Sequence, residues 1–232
     1  EPRNRRTRCA AFVKTNKTSV LIDFGPDIHQ QLTREKITHI DAVLLSHDHG
    51  DHVNGIDDLR TLSFRKKSPI PIYGHERDLN IIKNKKFPYA FGYSADTDLY
   101  KAFVREKTIN EYSFLIGDMP IICFDQDHGT CLSLGFRIGD LGYSTDMRNL
   151  DNKAVNALMG VKTWIVDGGA YFSDHNPVHA SINTIYQLNK KIGADEVFIT
   201  HMPRHMDYKT VLDELEDGYQ PAYDGLKISI SF

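Results

Sequence analysis

The sequence has no long apolar run, few cysteines and no excess of charge of one sign. No stretch of about 18 consecutive apolar residues, the length that a membrane-spanning helix needs, occurs in the 232 residues. The opening residues, Glu-Pro-Arg-Asn-Arg-Arg, lack the apolar core of a signal peptide. We therefore expect a protein that makes no use of a membrane and is not exported. The chain begins without Met, so further residues could precede Glu1.

The cysteines and the charge balance bear on the location of the protein and on its partners. Cys9, Cys123 and Cys131 are odd in number and widely scattered, which is not the pattern of a disulfide framework or of a CxxC zinc site. They favour a reducing, cytoplasmic location. With 28 basic and 31 acidic residues the net charge is -3, so there is no overall basic field to attract nucleic acid. The composition disfavours a nucleic-acid partner.

Strand and helix patterns alternate along the chain, which predicts an α/β protein with layered sheets and helices. A length of 232 residues suits one domain, and we expect residues 1–232 to form it. Segment 83–111 has the least regular pattern and is expected to be a lid or a substrate-facing excursion. Predicted strands cover residues 10–13, 19–24, 41–46, 70–73, 120–124, 132–138, 163–167, 196–200 and 227–232. Predicted helices cover residues 27–35, 56–62, 76–85, 153–158, 180–192 and 208–216.

A dense group of metal-ligand types follows the buried strand predicted at residues 41–46. It reads His47-Asp48-His49-Gly50-Asp51-His52, and a helical stretch is expected to open near Val53. Imidazole and carboxylate groups are the ligands that zinc and manganese accept, and a tight loop can aim alternating side chains at two ions. In this interpretation His47 and His49 bind one ion while Asp51 and His52 bind the other.

Three later strand ends each supply one more ligand type. His128, Asp146 and His201 follow or close apolar runs, as ligands at the edge of a sheet should. Asp146 is the candidate to bridge two ions. A single histidine is more often a surface or packed residue than a ligand. Each of these three residues is therefore weak evidence for a metal site alone, and only the three together support it. His29, His39 and His75 lie in polar surroundings and are expected at the surface.

In this order, the HxHxDH motif, the later His, the Asp and the final His resemble those of the metallo-β-lactamase superfamily. The resemblance covers nearly the whole chain. Five segments look like the branch that contains phosphoribosyl 1,2-cyclic phosphate phosphodiesterase: residues 4–8 (Asn-Arg-Arg-Thr-Arg), 21–26 (Leu-Ile-Asp-Phe-Gly-Pro), 46–52, 55–60 (Gly-Ile-Asp-Asp-Leu-Arg) and 221–225 (Pro-Ala-Tyr-Asp-Gly).

The resemblance implies a four-layer αββα sandwich, two divalent cations per chain (zinc or manganese) and hydrolysis of a small (cyclic) phosphodiester. It also implies that His179 is the catalytic histidine outside the metal ligands, with His175 as the less favoured substitute; His179 could instead only cap the helix that follows it. Members of this branch can carry a structural zinc with a histidine near position 204. Arg204 stands there with His205 beside it, so no structural zinc is predicted.

The expected mechanism uses a hydroxide that bridges two ions about 3.5–4 Å apart as the nucleophile. Asp51 is expected to orient this hydroxide while it binds metal, and a protonated His179 to act as general acid. Arg60, Arg148 and Arg204 are candidates to bind further phosphate oxygens, although a role in surface solubility is as plausible for each. Asp23 is expected to hold a ligand histidine in its tautomer.

Other activities are compatible with the same motif. A 3′-end-processing transfer-RNA endonuclease ranks second, but such enzymes usually add a flexible basic arm, and residues 146–201 show only ordered patterns. A thioester, β-lactam or other ester hydrolase ranks third. A non-catalytic metal-binding protein of the same fold would be expected to have lost ligands. A homodimer is the default expectation for a soluble oligomer.

Overall fold

The computed structural model describes residues 1–92 and 101–232. Contacts between Cα atoms divide the chain into two compact units. The first unit comprises Arg8–Glu111 and Leu115–Met119, and the second comprises Glu1–Thr7, Tyr112–Phe114 and Pro120–Phe232. A single domain over residues 1–232 stays a prediction, and each unit is described by itself.

The first unit is built on a five-stranded sheet with the strand order β1-β2-β3-β4-β5. Strands β1 and β2 pair antiparallel, and every later neighbouring pair is parallel. The strands are β1 (Ala11–Lys14), β2 (Ser19–Ile22), β3 (Ala42–Leu44), β4 (Ile70–Gly74) and β5 (Val104–Thr108). The helices are α1 (Ile28–Arg34), α2 (Gly50–Val53), α3 (Leu59–Lys66) and α4 (Glu76–Ile81), with 3-10 turns at Ile56–Asp58 and Pro88–Phe91 and a π-helical turn at Ile82–Lys86.

The burial of β3 explains where the metal-ligand motif begins. All three of its residues, Ala42, Val43 and Leu44, are fully buried, as expected for a parallel strand covered on both faces. Val43 packs in an apolar cluster with Leu59 of α3 and Ile72 of β4. The buried strand therefore fixes the position at which Ser46 and the residues that follow leave the sheet.

The second unit is built on a seven-stranded sheet with the order β12-β11-β10-β9-β8-β7-β6. Strands β9 to β12 run parallel to one another, while β7, β8 and β9 pair antiparallel. The strands are β6 (Ser113–Ile116), β7 (Met119–Asp127), β8 (Leu132–Ile138), β9 (Leu141–Ser144), β10 (Thr163–Asp167), β11 (Glu196–Thr200) and β12 (Tyr219–Pro221). The helices are α5 (Asn152–Leu158), α6 (Ile182–Ile192) and α7 (Tyr208–Glu214), and a 3-10 turn spans Pro2–Asn4.

The structure corrects several predicted elements. Residues 227–232 do not form a strand: their exposure alternates, but Ser231 is tied to Asp140 only through its own N–H and C=O, at 2.8 and 3.0 Å. The helix expected near Val53 begins at Gly50 instead. Strands β5, β6, β9 and β12 lacked a recognised pattern; β5, for example, carries Arg, Glu and Lys within five residues.

The excursion predicted at residues 83–111 is ordered wherever it is described. It contains the turns at Ile82–Lys86 and Pro88–Phe91 and the strand β5. Residues 93–100 of this prediction lie outside the described residues. No helix in the described parts of the chain is long and apolar enough to cross a membrane.

Candidate metal centre

In the first unit, the predicted motif forms a compact loop between β3 and α2. His47 and His52 are buried, whereas Asp51 is partly accessible and His49 is exposed. The ring of His47 lies 4.3 Å from that of His49 and 4.5 Å from that of His52, measured between centroids. The structure therefore brings three of the predicted imidazole ligands together.

Two glycines allow the loop to approach the turn after β2. A Cβ atom on Gly25 would lie 2.0 Å from the backbone oxygen of Asp51, and one on Gly55 would lie 2.1 Å from the backbone oxygen of Gly25. Backbone hydrogen bonds from Phe24 to His52 (2.8 Å) and from Gly55 to Phe24 (2.9 Å) close this contact. Only residues without a side chain fit at this distance, so the packing fixes the start of α2.

Asp23 anchors this loop from within the first unit. It is fully buried and accepts hydrogen bonds from the Ser46 backbone N–H (2.8 Å) and the Ser46 hydroxyl (2.7 Å). The Nδ1 atom of His52 lies 2.7 Å from Asp23 Oδ2, the same oxygen that accepts the Ser46 hydroxyl. Asp23 acts here only as an acceptor, so Nδ1 of His52 carries the hydrogen of this bond. The lone pair of the neutral His52 ring is therefore on Nε2. That atom lies 3.5 Å from Asp51 Oδ2.

In the second unit, three predicted ligands converge at the ends of three strands. His128 follows β7, Asp146 follows β9 and His201 follows β11. The Asp146 carboxylate lies between the two rings, with Oδ1 at 3.5 Å from His128 Nε2 and Oδ2 at 3.3 Å from His201 Nε2. Since β9 and β11 are parallel, their carboxyl ends lie at the same edge of the sheet.

The tautomer of His128 shows that this cluster fits a cation. Its Nδ1 lies 2.9 Å from the backbone oxygen of Val178, and a carbonyl can only accept, so Nδ1 carries the proton. In the neutral ring the lone pair of Nε2 therefore faces the Asp146 carboxylate. Two acceptors at this distance repel each other, whereas a divalent ion between them would be bound by both. The donor set of imidazole and carboxylate fits divalent metal binding.

His179 stands beside this cluster and is held by a carboxylate of its own. Its Nδ1 lies 2.7 Å from Asp167 Oδ2 and 4.0 Å from Asp146 Oδ1. Asp167 is fully buried and also accepts hydrogen bonds from the backbone N–H groups of Met147 (2.9 Å) and Gly169 (2.7 Å). The Asp167 carboxylate thus accepts a hydrogen bond from Nδ1–H, which leaves Nε2 as the reactive atom of His179.

Asp167 was missed at the sequence level. The signal was present, because Asp167 closes the apolar strand β10 just as Asp146 and His201 follow theirs. It was read only as a strand residue because no histidine adjoins it in sequence. The partner, His179, is twelve residues away, beyond a loop whose path the pattern did not reveal.

The three predicted substrate arginines do not gather within one unit. Arg60, in the first unit, places its guanidinium 4.8 Å from the centroid of the Phe103 ring. Arg148, in the second, is paired with Asp127, 2.5 Å away, and Arg204 is exposed. Burial raises the pKa of Asp127, but the hydrogen bonds from Arg148 and the Gly129 backbone N–H and the nearby positive charge together outweigh it, so the pKa lies below its usual value. Binding of substrate by these arginines stays a prediction.

The remaining predicted histidines are mostly at the surface. His29 and His39 are 78% and 54% exposed, and His175 is exposed as well. His75 differs from the expectation, because its side chain is only 18% exposed and lies 3.6 Å from the buried carboxylate of Asp78. It belongs to the framework around α4.

Comparison with known proteins places this chain in a family. Residues 18–202 match the family described as the β-lactamase superfamily domain. The match spans most of the chain, so the chain belongs to this superfamily and has its metallo-β-lactamase fold, as predicted. The domain is accordingly of the metal-dependent hydrolase class.

Individual relatives add detail. An octanoyltransferase of Porphyromonas gingivalis is 28% identical over 98% of this chain, and the chain spans 46% of that protein's length. The crystal structure of a diphosphatase from the PhnP family is similar with a TM-score of 0.88 and 28% identity, covering 98% of this chain and 85% of that one. Human tRNase Z, short form, shares the fold with a TM-score of 0.69 and 20% identity, covering 97% and 93% of the two chains.

Proposed function

We propose that this protein is a metal-dependent phosphodiesterase that hydrolyses a small, phosphorylated, cyclic or linear phosphodiester. The observation that carries the proposal is the pair of Asp167 and His179. Asp167 Oδ2 lies 2.7 Å from His179 Nδ1, which leaves Nε2 as the proton-donating atom, and the ring lies beside the Asp146 carboxylate, with Nδ1 4.0 Å from Oδ1. A proton donor held in this way beside predicted metal ligands could protonate an alkoxide leaving group as it departs. The similarity to a diphosphatase of the PhnP family supports a phosphorus-centred substrate.

The proposal includes two divalent ions per chain, zinc or manganese. In the first unit His47, His49, Asp51 and His52 would hold metal, and in the second His128, Asp146 and His201 would. Bound metal would supply an activated water at neutral pH and would bind the charged phosphate oxygens. Asp23 and the Val178 carbonyl keep the Nε2 atoms of His52 and His128 unprotonated for this purpose.

His179 would then move the proton that the leaving oxygen needs. Asp167 holds the proton on Nδ1, so a second proton, carried on Nε2 of the imidazolium, is the one that is given up. The negative carboxylate stabilises the imidazolium until transfer, and the ring then stays in the correct orientation. General acid catalysis of this kind contributes roughly 10²–10⁴-fold to a rate.

The first experiment measures metal content together with hydrolysis of two substrates. Bis(p-nitrophenyl) phosphate releases a good leaving group, whereas a 2′,3′-cyclic nucleotide releases an alkoxide and so needs the acid. We expect about two metals per chain and turnover of both substrates. Asp146→Ala should lose metal and activity, while His179→Ala should keep its metal and lose most of its activity on the cyclic nucleotide. His29→Ala, an exposed histidine, is the matched control.

Further substrates separate the alternatives. A 3′-extended transfer RNA tests the endonuclease activity, and an octanoyl thioester of a small thiol tests the acyl chemistry that the name of the Porphyromonas relative suggests. Turnover of the transfer RNA or of the thioester, without turnover of bis(p-nitrophenyl) phosphate or the cyclic nucleotide, would contradict the proposed substrate class. A protein without metal and without any of these activities would contradict the proposal altogether.

A homodimer is also proposed, and sedimentation velocity tests it.

A further inference from the structure

The first residues of the second unit lie along the loop that follows His201. We call residues 3–7 the N-terminal strap and residues 202–207 the His201 loop. The Arg6 guanidinium donates through Nη2 to the backbone oxygens of Met206 (2.6 Å) and Pro203 (3.3 Å). One planar side chain thereby binds two carbonyls of the same loop, three residues apart.

The residues on either side of Arg6 are tied to the same region. Asn4 accepts a hydrogen bond from the Tyr208 backbone N–H at 2.8 Å. Thr7 donates to Asp224 from its hydroxyl (2.6 Å) and its backbone N–H (3.2 Å). Arg6 therefore reaches the loop from a backbone that is held on both sides.

The partial burial of Arg6 increases its dependence on these hydrogen bonds. The side chain is part-buried, and burial lowers its pKa although Asp207 and Asp224 act in the opposite direction. A guanidinium removed from water depends on the acceptors that replace it, and two of them are the loop carbonyls. Loss of the guanidinium would leave the Met206 carbonyl without this donor and the Pro203 carbonyl with only the Met206 backbone N–H at 3.1 Å, which loosens the loop.

The loop, in turn, begins at a predicted metal ligand whose backbone is strained. His201 has a φ of 56°, a conformation that residues with a side chain rarely adopt. Its Nε2 lies 3.3 Å from Asp146 Oδ2, and Pro203 is only two residues further along. A strained backbone persists only where its neighbours hold it.

We propose that Arg6 is a positioning residue for His201, acting through the carbonyls of the His201 loop. The inference rests on the proposed function only in taking His201 as a metal ligand. Lysine is a poor replacement for Arg6, because the two protons of Nη2 are held in the plane of the guanidinium and aimed at the two carbonyls, whereas an ammonium on a flexible stem has no such fixed direction.

The test compares Arg6→Ala and Arg6→Lys with Arg5→Ala. Arg5 is the matched control, since it is an exposed arginine next to Arg6 and its side chain has no hydrogen bond or ion pair with the described residues. The first measurement is amide hydrogen exchange of the metal-free protein over Met202 and residues 204–208. The others are the rate at which a chelator removes Co²⁺ and the absorption spectrum of the Co²⁺-loaded protein.

Both Arg6 variants should exchange these amides faster, release Co²⁺ about 10-fold faster and shift the cobalt bands, as perturbed supporting contacts do. Methylguanidinium in the buffer should partly restore the spectrum of Arg6→Ala and leave Arg5→Ala unchanged. Metal release and spectra that match those of Arg5→Ala would overturn the proposal, as would faster exchange spread over the whole unit. No turnover is measured, so failure of the proposed function would not imitate either result.

Discussion

Replacement of Asp167 by Asn tests the role of the histidine and its carboxylate most directly. The change keeps the shape of the side chain but removes its charge and one acceptor. In the wild type, Oδ2 faces the N–H groups of His179 (2.7 Å) and Met147 (2.9 Å), while Oδ1 faces that of Gly169 (2.7 Å). An asparagine has one oxygen, so in either orientation its NH₂ group must face at least one of these donors.

The size of the effect follows from these contacts. A charge-assisted hydrogen bond stabilises by about 1.5–3 kcal/mol and a neutral one by about 0.5–1.5 kcal/mol, so the imidazolium of His179 loses roughly 1–1.5 kcal/mol. Since about 1.4 kcal/mol corresponds to a factor of ten, this alone slows proton donation about 10-fold. Misorientation of the ring adds to it when the NH₂ group faces Nδ1. We expect kcat on a 2′,3′-cyclic nucleotide to fall roughly 10–100-fold, which does not exceed the roughly 10²–10⁴-fold that general acid catalysis contributes as a whole.

The assay is a double-mutant cycle with His179→Ala. Because Asp167 acts through His179, Asp167→Asn should have little further effect once the imidazole is absent. Metal content should stay unchanged, and the loss should be smaller on bis(p-nitrophenyl) phosphate, whose leaving group needs less protonation. Asp174→Asn, on the same loop, serves as the control. Loss of metal in Asp167→Asn, or an equal loss of activity in the His179→Ala background, would refute this explanation.

Three further predictions concern the first unit. Asp23→Ala removes a fully buried acceptor of three hydrogen bonds and should lower the free energy of unfolding by about 3–5 kcal/mol, measured in urea. Gly25→Ala places a Cβ atom 2.0 Å from the Asp51 backbone oxygen, so it should cost about 1–3 kcal/mol and weaken metal binding measured by chelator competition. Burial raises the pKa of Asp41, but hydrogen bonds from Ser19 and other groups leave it below the ordinary 3.8. The stability lost in Asp41→Asn should therefore be full above pH 3.8 and shrink as the pH falls further, and a difference that stays constant in urea melts down to pH 2.5 would contradict this.

The sequence was most informative where residue type and position coincide. The HxHxDH motif is recognisable because five of six consecutive residues are histidines or aspartates, directly after a predicted strand that is almost wholly apolar. Asp23 was expected to hold a ligand histidine, and in the structure it directly follows β2 and contacts His52. Such local patterns survive folding because the strand before them fixes their position.

The rest required tertiary contacts. Asp167 and His179 meet across a loop, and Val178 orients His128 through a backbone carbonyl, which no side-chain pattern encodes. The contact of Arg6 with the carbonyl of Met206 joins residues 200 positions apart. Strand β9 was missed for a different reason, since it is only four residues long and contains a glycine.

Backbone strain links the fold to the proposed chemistry. Among the described non-glycine residues, φ is positive at Asp23 (62°), Asp146 (48°) and His201 (56°), and also at Lys36, Lys67 and Tyr171. Each of the first three directly follows a strand or lies within two residues of its end. Such a conformation costs on the order of 1–3 kcal/mol at each position. A glycine would avoid this cost but would supply no imidazole or carboxylate. The chain tolerates the strain where a turn at the sheet edge must also present a donor atom, and the buried strands β2, β9 and β11 provide the rigidity that maintains it.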